Sequence, residues 1–244
     1  SLLTGVRPGR HGLTVNGVAV PQLPAATLAE LLRQAGYATS AFVSSAMLDH
    51  RHGLDRGFDH YDDDLLLPGG PPKPHERRGD ITVDKAIEWL GHQAGPWFTW
   101  VHLYDPHSPY AAPGGRTEPP RAAYLDEVAY ADAQLGRLLS AAEGASGELL
   151  VVVTSDHGEE FGEHAFFGHG ETLYDDNTRV PLIVRLPESH AGEAGQVLGD
   201  PVSLVDIAPW VLEVADIGWD DRMPVQPPLG PDRFSPPGPS LIPI

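Results

Sequence analysis

Short apolar runs alternate with longer amphipathic stretches along this chain, and the alternation predicts its elements. Residues 149–153 (LLVVV) form an unbroken, valine-rich run, the pattern of a strand buried on both faces of a parallel sheet. A second apolar run follows at 180–184. Residues 38–43 (ATSAFV) and 97–103 (WFTWVHL) give two more strands, the latter aromatic and β-branched as central strands are. Helical patterns lie between them. Thr27 caps LAELLRQA, which stops at Gly36. Asp80 opens ITVDKAIEWLGHQ, with Ile81, Val83, Ile87 and Leu90 on one face. Residues 122–142 predict a long helix with Val128, Leu135, Leu138 and Leu139 on its buried side, and Ser203 caps LVDIAPWVLEVA, interrupted by Pro209. Ser1-Leu2-Leu3-Thr4-Gly5 reads as the last turn of a helix closed by a glycine, followed by a turn-rich connector at 6–12. Residues 49–64 read as a polar loop, 65–78 as a surface excursion, and the chain from Gly218 onward is rich in Pro and Gly. Four strands alternating with helices describe an α/β fold: a mostly parallel central sheet with helices on both faces, in one domain over 1–244.

The chemistry gathers where the strands end. The run at 149–153 stops at Thr154 and delivers Asp156, His157 and Gly158; in open α/β sheets ligands bind beyond the carboxyl ends of the strands. A carboxylate and an imidazole side by side can reach one cation from two directions. Asp-His-Gly after a strand is also an ordinary turn, with Asp accepting backbone hydrogen bonds and Gly supplying a positive φ. Four acidic residues and three histidines between Asp156 and His169 weigh toward a site. The strand at 97–103 runs into Tyr104-Asp105-Pro106-His107-Ser108-Pro109-Tyr110, where two prolines fix φ and set His107 in a stiff segment. If the two strands are near neighbours, His107 converges on Asp156 and His157.

Composition narrows the function classes. A net charge of −18 argues against nucleic-acid backbone binding, which needs a basic surface. An anionic substrate must then be drawn in by a local feature such as a metal. The absence of cysteine excludes disulfides and thiolate metal sites within the chain. No apolar stretch reaches 18 residues, so no membrane-spanning helix is predicted, and no secretory leader pattern is visible.

Three stretches resemble one family: SLLTG-x2-P-x2-HG at 1–12, DPHSPY at 105–110, and TSDHGEEFGEH…GHG…RVPLIV at 154–184. Together they resemble the sulfatases of the alkaline-phosphatase superfamily. Two further segments, 36–63 and 124–139, look like connecting pieces common in bacterial members. The resemblance implies attack on sulfur or phosphorus at a divalent metal by an activated nucleophile, usually formylglycine. In the family that nucleophile sits just before Ser-Leu-Leu-Thr-Gly, with two acidic metal ligands further upstream. The chain is therefore expected to be a fragment, truncated at both ends. Ser1 matches the trailing serine of the motif and is not assigned catalysis.

Carried over residue by residue, Asp156 and His157 fall on metal ligands, for calcium by family. A carboxylate with an imidazole suits Mn²⁺ or Zn²⁺ at least as well. His107 matches a histidine that in relatives contacts the transferred group or the nucleophile, and could otherwise be a loop residue stacked between prolines. His169 stands where sulfatases commonly carry Lys beside the leaving-group oxygen, and could instead be structural. His164 and Glu163 are expected to shape the loop, Arg179 to pair with Asp175 or Asp176, and His11 to be structural. His50, His52 and His60 are expected to be solvated loop residues, and Trp97 and Trp100 core. The leading expectation is a metal-dependent hydrolase of small-molecule or carbohydrate sulfate esters. The rivals are a phosphodiesterase, phosphonate hydrolase or phosphoethanolamine transferase on the same scaffold, and a non-catalytic protein that kept the fold. The sequence does not give the oligomeric state.

Overall fold

The computed structural model describes residues 1–12, 25–66, 75–145, 147–190 and 195–218. In chain order its helices are α1 (Pro8–His11), α2 (Leu28–Gln34), α3 (Gly79–Leu90), α4 (Pro120–Ala145), α5 (Asp175–Thr178) and α6 (Ile207–Val214). The strands are β1 (Ala38–Val43), β2 (His60–Asp62), β3 (Trp97–His102), β4 (Val151–Thr154), β5 (Glu160–Phe161), β6 (Phe167–Gly168) and β7 (Leu182–Arg185). The parallel sheet has the order β2-β1-β3. Its middle strand carries the burial, with Ala41, Phe42 and Val43 wholly inside.

Successive side chains of a strand face opposite ways, so β3 sorts its aromatics between two helical layers. Phe98 packs with Leu28, Leu31 and Leu32 of α2 and Ala208 and Leu212 of α6. Trp97 packs with Leu90 of α3 and Ala142 of α4 on the other face. Helices thus cover both faces, as the α/β pattern predicts. The start of α2 follows the sequence: Thr27 Oγ1 accepts from the Glu30 amide while Glu30 Oε2 accepts from the Thr27 amide. Pro209 does not interrupt the last helix. A 3-10 turn over Leu204–Asp206 precedes α6, which places Pro209 in the first helical turn, where a missing N–H costs nothing.

Four expectations are corrected. β4 does not join the parallel sheet; it pairs antiparallel with β7 (Val151 opposite Arg185, Thr154 opposite Leu182), and its residues are half-buried. A cleft of about 1820 Å³ separates β3 from β4. That cleft explains the second correction. Leu135, Leu138 and Leu139 of α4 line it half-buried and Val128 is 38% exposed, while the buried positions of α4 are Ala123, Glu127, Gln134 and Ala142. Third, His60, exposed as expected, belongs to β2 rather than to a loop, with its ring 5.2 Å from that of Phe42.

Fourth, the segment 65–78 is not all surface. Residues 67–74 lie outside the described residues, but Leu65 is buried and Arg77 is 1% exposed. The Arg77 guanidinium pairs with Asp62 and donates to Thr82 Oγ1 (2.9 Å) and to the carbonyls of Asp64 (2.9 Å) and Val43 (3.0 Å), so every contact is an acceptor. Asp62 also accepts from Lys85 Nζ at 2.6 Å. Burial pushes the Asp62 carboxyl up, but the Lys85 and Arg77 hydrogen bonds outweigh it and hold the group below the usual carboxylate range.

Removing one partner of a buried pair leaves the other charge uncompensated, so Arg77→Met should lower the unfolding free energy by about 3–5 kcal/mol in urea denaturation. Because the Asp62 pKa is depressed on folding, its contribution is present above the ordinary carboxylate pKa and is lost as pH falls through the folded value. Arg77→Met should flatten that acid-side loss of stability.

Candidate active site

The loop after β3 and the loop after β4 meet. His107 comes from the first, His157 from the second, and His169, beside the β5–β6 hairpin, stands between them. The His157 and His169 rings stack at 4.0 Å between centroids, and His107 meets His169 edge-on at 5.3 Å. The structure therefore brings together all four residues singled out from the sequence, His107, Asp156, His157 and His169.

Each imidazole is oriented by a partner that also fixes where its proton sits. His107 Nδ1 lies 2.7 Å from the Ser108 carbonyl oxygen and His157 Nδ1 lies 2.8 Å from that of Gly158. A carbonyl only accepts, so both Nδ1 atoms carry hydrogen and, in the neutral tautomer, both Nε2 atoms are acceptors. His107 Nε2 is 3.2 Å from the Tyr104 hydroxyl, and the Tyr104 ring stacks on His107 at 4.2 Å. His157 Nε2 is 3.8 Å from Asp156 Oδ1. An imidazole with its other nitrogen donated to a carbonyl, beside a carboxylate at that spacing, is a donor set that fits two positions around one divalent cation. His169 Nδ1 is 3.1 Å from Glu159 Oε1.

Gly158 makes this loop possible, though not for the positive φ a turn would need: it is absent from the left-handed glycines. Its amide donates to the Asn177 carbonyl at 2.8 Å, and a β-carbon at 158 would stand 1.9 Å from the Asp176 carbonyl oxygen. The side chain is excluded because another backbone occupies its place.

Sequence reasoning missed the residues that hold the site. Glu127 of α4, 4% exposed, accepts from the His107 amide (3.0 Å) and the Ala111 amide (2.6 Å), clamping the stiff loop with both oxygens. Burial pushes its carboxyl up. The available signal was an acid in helical register with Ala123 and Gln134 on the buried stripe of α4. Asp105 Oδ2 accepts from the Gly79 amide at 2.8 Å, tying the same loop to the start of α3. Glu159 receives the Tyr110 hydroxyl on its second oxygen at 3.0 Å. His102 ends β3 with its Nδ1 buried and unpartnered among the described residues; burial lowers its pKa.

The remaining expectations divide. Glu163 Oε2 accepts from the Phe161 amide at 2.6 Å and His164 stacks on Tyr174, so both shape the loop. His11 is buried against Ser1 Oγ, and His50 is exposed beside Asp63. Arg179 does not pair as expected. Among the described residues its guanidinium has no carboxylate at ion-pair distance, and its amide instead closes α5 onto the Asp175 carbonyl.

With this geometry in hand, comparison with known proteins is decisive on family. The sequence model of the sulfatase family matches residues 1–217.

The chain belongs to the sulfatase family.

Among curated sulfatases, an uncharacterized one from Escherichia coli, YidJ, is 41% identical over 96 residues, covering 39% of this chain and 18% of its own length. Steryl-sulfatase of Mus musculus is 29% identical over 227 residues, covering 83% of this chain and 36% of its own. The chain thus spans about a third or less of the curated sulfatases it matches. Among solved structures, BT4656, in complex with its substrate D-glucosamine-2-N,6-O-disulfate, superimposes with a TM-score of 0.71 at 20% identity, covering 91% of this chain and 67% of that one. The phosphonate monoester hydrolase of Agrobacterium radiobacter gives 0.69 at 22% identity, covering 89% and 63%. These two likenesses establish the sulfatase fold.

In this sulfatase-family chain Gly158→Ala should displace the 156–158 turn from α5. The expected result is a loss of about 2–5 kcal/mol in stability, the scale of a buried steric conflict, measured by denaturant unfolding. Glu127→Gln leaves one backbone amide facing a donor and should cost about 1–3 kcal/mol in the same assay.

Proposed function

We propose that this chain is part of a metal-dependent hydrolase of sulfate esters and carries the acid–base and half of the metal-binding apparatus. The observation that supports this most is the row of three imidazoles beside Asp156, with the proton of each placed by a fixed acceptor.

Asp156 and His157 would hold one divalent cation, which when bound supplies charge to offset the substrate's anionic oxygens and lower the nucleophile's pKa. Family resemblance points to calcium, and the imidazole ligand suits Mn²⁺ or Zn²⁺ as well. His107 Nε2, which faces the Tyr104 hydroxyl, can exchange a proton with the transferred group or nucleophile once that contact is released. Glu159 accepts the Nδ1 hydrogen of His169; in its doubly protonated form that imidazole can pass its Nε2 proton to the departing oxygen and return to the neutral state. The chain holds no cysteine, so a formylglycine derived from cysteine would come from outside residues 1–244. The substrate class would be a small-molecule or carbohydrate sulfate ester, in keeping with the sulfated glucosamine of the BT4656 complex. Among the described residues no helix is long and apolar enough to cross a membrane.

A second reading keeps the scaffold and changes the ester. His169 occupies the position where sulfatases commonly carry Lys, and a proton-donating histidine there is compatible with phosphodiester or phosphonate cleavage; the fold neighbour from Agrobacterium radiobacter is a phosphonate monoester hydrolase.

In the full-length protein, Asp156→Ala or His157→Ala should cut kcat/KM for an aryl sulfate about a thousandfold, the effect of losing several kcal/mol of charge stabilisation. His169→Ala should cost about 10²–10⁴ on esters with poor leaving groups and much less on activated ones. Matched aryl sulfate and aryl phosphodiester substrates decide between the readings: a faster sulfate reaction is expected, and a phosphodiester rate at least ten times higher would replace the sulfatase assignment. Full activity in Asp156→Ala would sink both.

A further inference from the structure

Glu159 and Glu160 are adjacent and face different surroundings. Glu159 holds His169 and Tyr110 at the active site, whereas Glu160, with no exposed surface, faces His164 and Thr172. His164 Nδ1 lies 3.2 Å from Glu160 Oε1 and 3.5 Å from Asp176 Oδ2. The three ligand atoms all fall within 4.8 Å of one another. Ligands held at about 2.0–2.2 Å from one ion stand roughly 3–4.4 Å apart, so the spacing is close to that of a shared cation.

The hydrogen-bond accounting points the same way. Thr172 Oγ1 donates to Glu160 Oε1 at 2.9 Å, and Asn177 Nδ2 donates to Thr172 Oγ1 at 2.7 Å. That uses the hydroxyl hydrogen of Thr172 and one of the two Nδ2 hydrogens of Asn177. Among the described residues two buried oxygens are left with no donor, Glu160 Oε2 and Asn177 Oδ1. A protonated His164 bridging Glu160 and Asp176 would satisfy neither. Buried acceptors without donors cost about 1–3 kcal/mol each, more for a charged group, and carboxylate and amide oxygens are the ligands a divalent cation takes. The Tyr174 ring, 3.5 Å from that of His164 and nearly parallel to it, holds the imidazole in place.

We propose that Glu160, His164 and Asp176 bind a second divalent cation, separate from the Asp156–His157 pair, which fastens the β5–β6 hairpin to α5. Carboxylate and imidazole ligands together select Mn²⁺ or Zn²⁺ over magnesium. Fastened this way, the hairpin presents Glu159 and His169 to the active site. The inference rests on this cluster alone and stands whether the substrate is a sulfate or a phosphate ester.

The test is a Mn²⁺ titration of chelator-treated full-length protein, following free Mn²⁺ by electron paramagnetic resonance. The Asp156→Ala/His157→Ala variant should still bind one equivalent and gain thermal stability from it. Adding His164→Ala should abolish that equivalent, and adding Asp176→Asn, a change on the surface of a short helix, should weaken it at least tenfold; Zn²⁺ should displace the Mn²⁺. No Mn²⁺ bound by the Asp156→Ala/His157→Ala variant would overturn the proposal. So would binding that both His164→Ala and Asp176→Asn leave unchanged. Should His164→Ala fail to fold, Asp176→Asn decides the matter.

Discussion

The site depends on one contact between two backbones. At Gly158 the turn after β4 runs so close to the carbonyl of Asp176 that no β-carbon fits, and the Gly158 amide closes the approach by donating to Asn177. That contact joins the segment carrying Asp156 and His157 to the short helix α5. The residues of α5 in turn face the Glu160–His164 network. Without it the turn carrying Asp156 and His157 would lose its backbone tie to α5.

The other half of the site is fixed by a buried acid. Glu127 satisfies the amides of His107 and Ala111 together, and Asp105 satisfies the first amide of α3. Burial shifts both carboxyls upward, so their ionised forms are disfavoured and are held against that bias by backbone donors. The consequence is a loop tied to two helices as well as stiffened by its own prolines.

The parallel sheet and the β4–β7 ribbon are held as separate pieces, with a large cleft between β3 and β4 that His107 and His157 line. The apolar face of α4 looks into that cleft. This is why its leucines are half-buried while small and polar residues, Ala123, Glu127 and Gln134, occupy the tight contacts. Hydrophobic periodicity ranks positions by apolarity and cannot tell a packed face from one that lines a cleft.

Local pattern was enough to determine the helices α2, α3 and α4 and the strands β1, β3, β4 and β7 to within about three residues, and the residue types able to bind a cation, because propensity, capping and periodicity act over a few neighbours. It also placed His107, Asp156 and His157 at strand ends and His169 in the loop that follows. Only the tertiary structure decided that these four meet, that β4 pairs antiparallel with β7, and that Arg77, in a segment rich in proline and glycine, is buried with its guanidinium fully engaged. Each of those outcomes rests on partners distant in sequence: Asp62 for Arg77, Glu127 for His107, Asp176 for Gly158. A single chain read in order carries no record of which distant acceptor will satisfy a given donor, and that pairing is what folding settles.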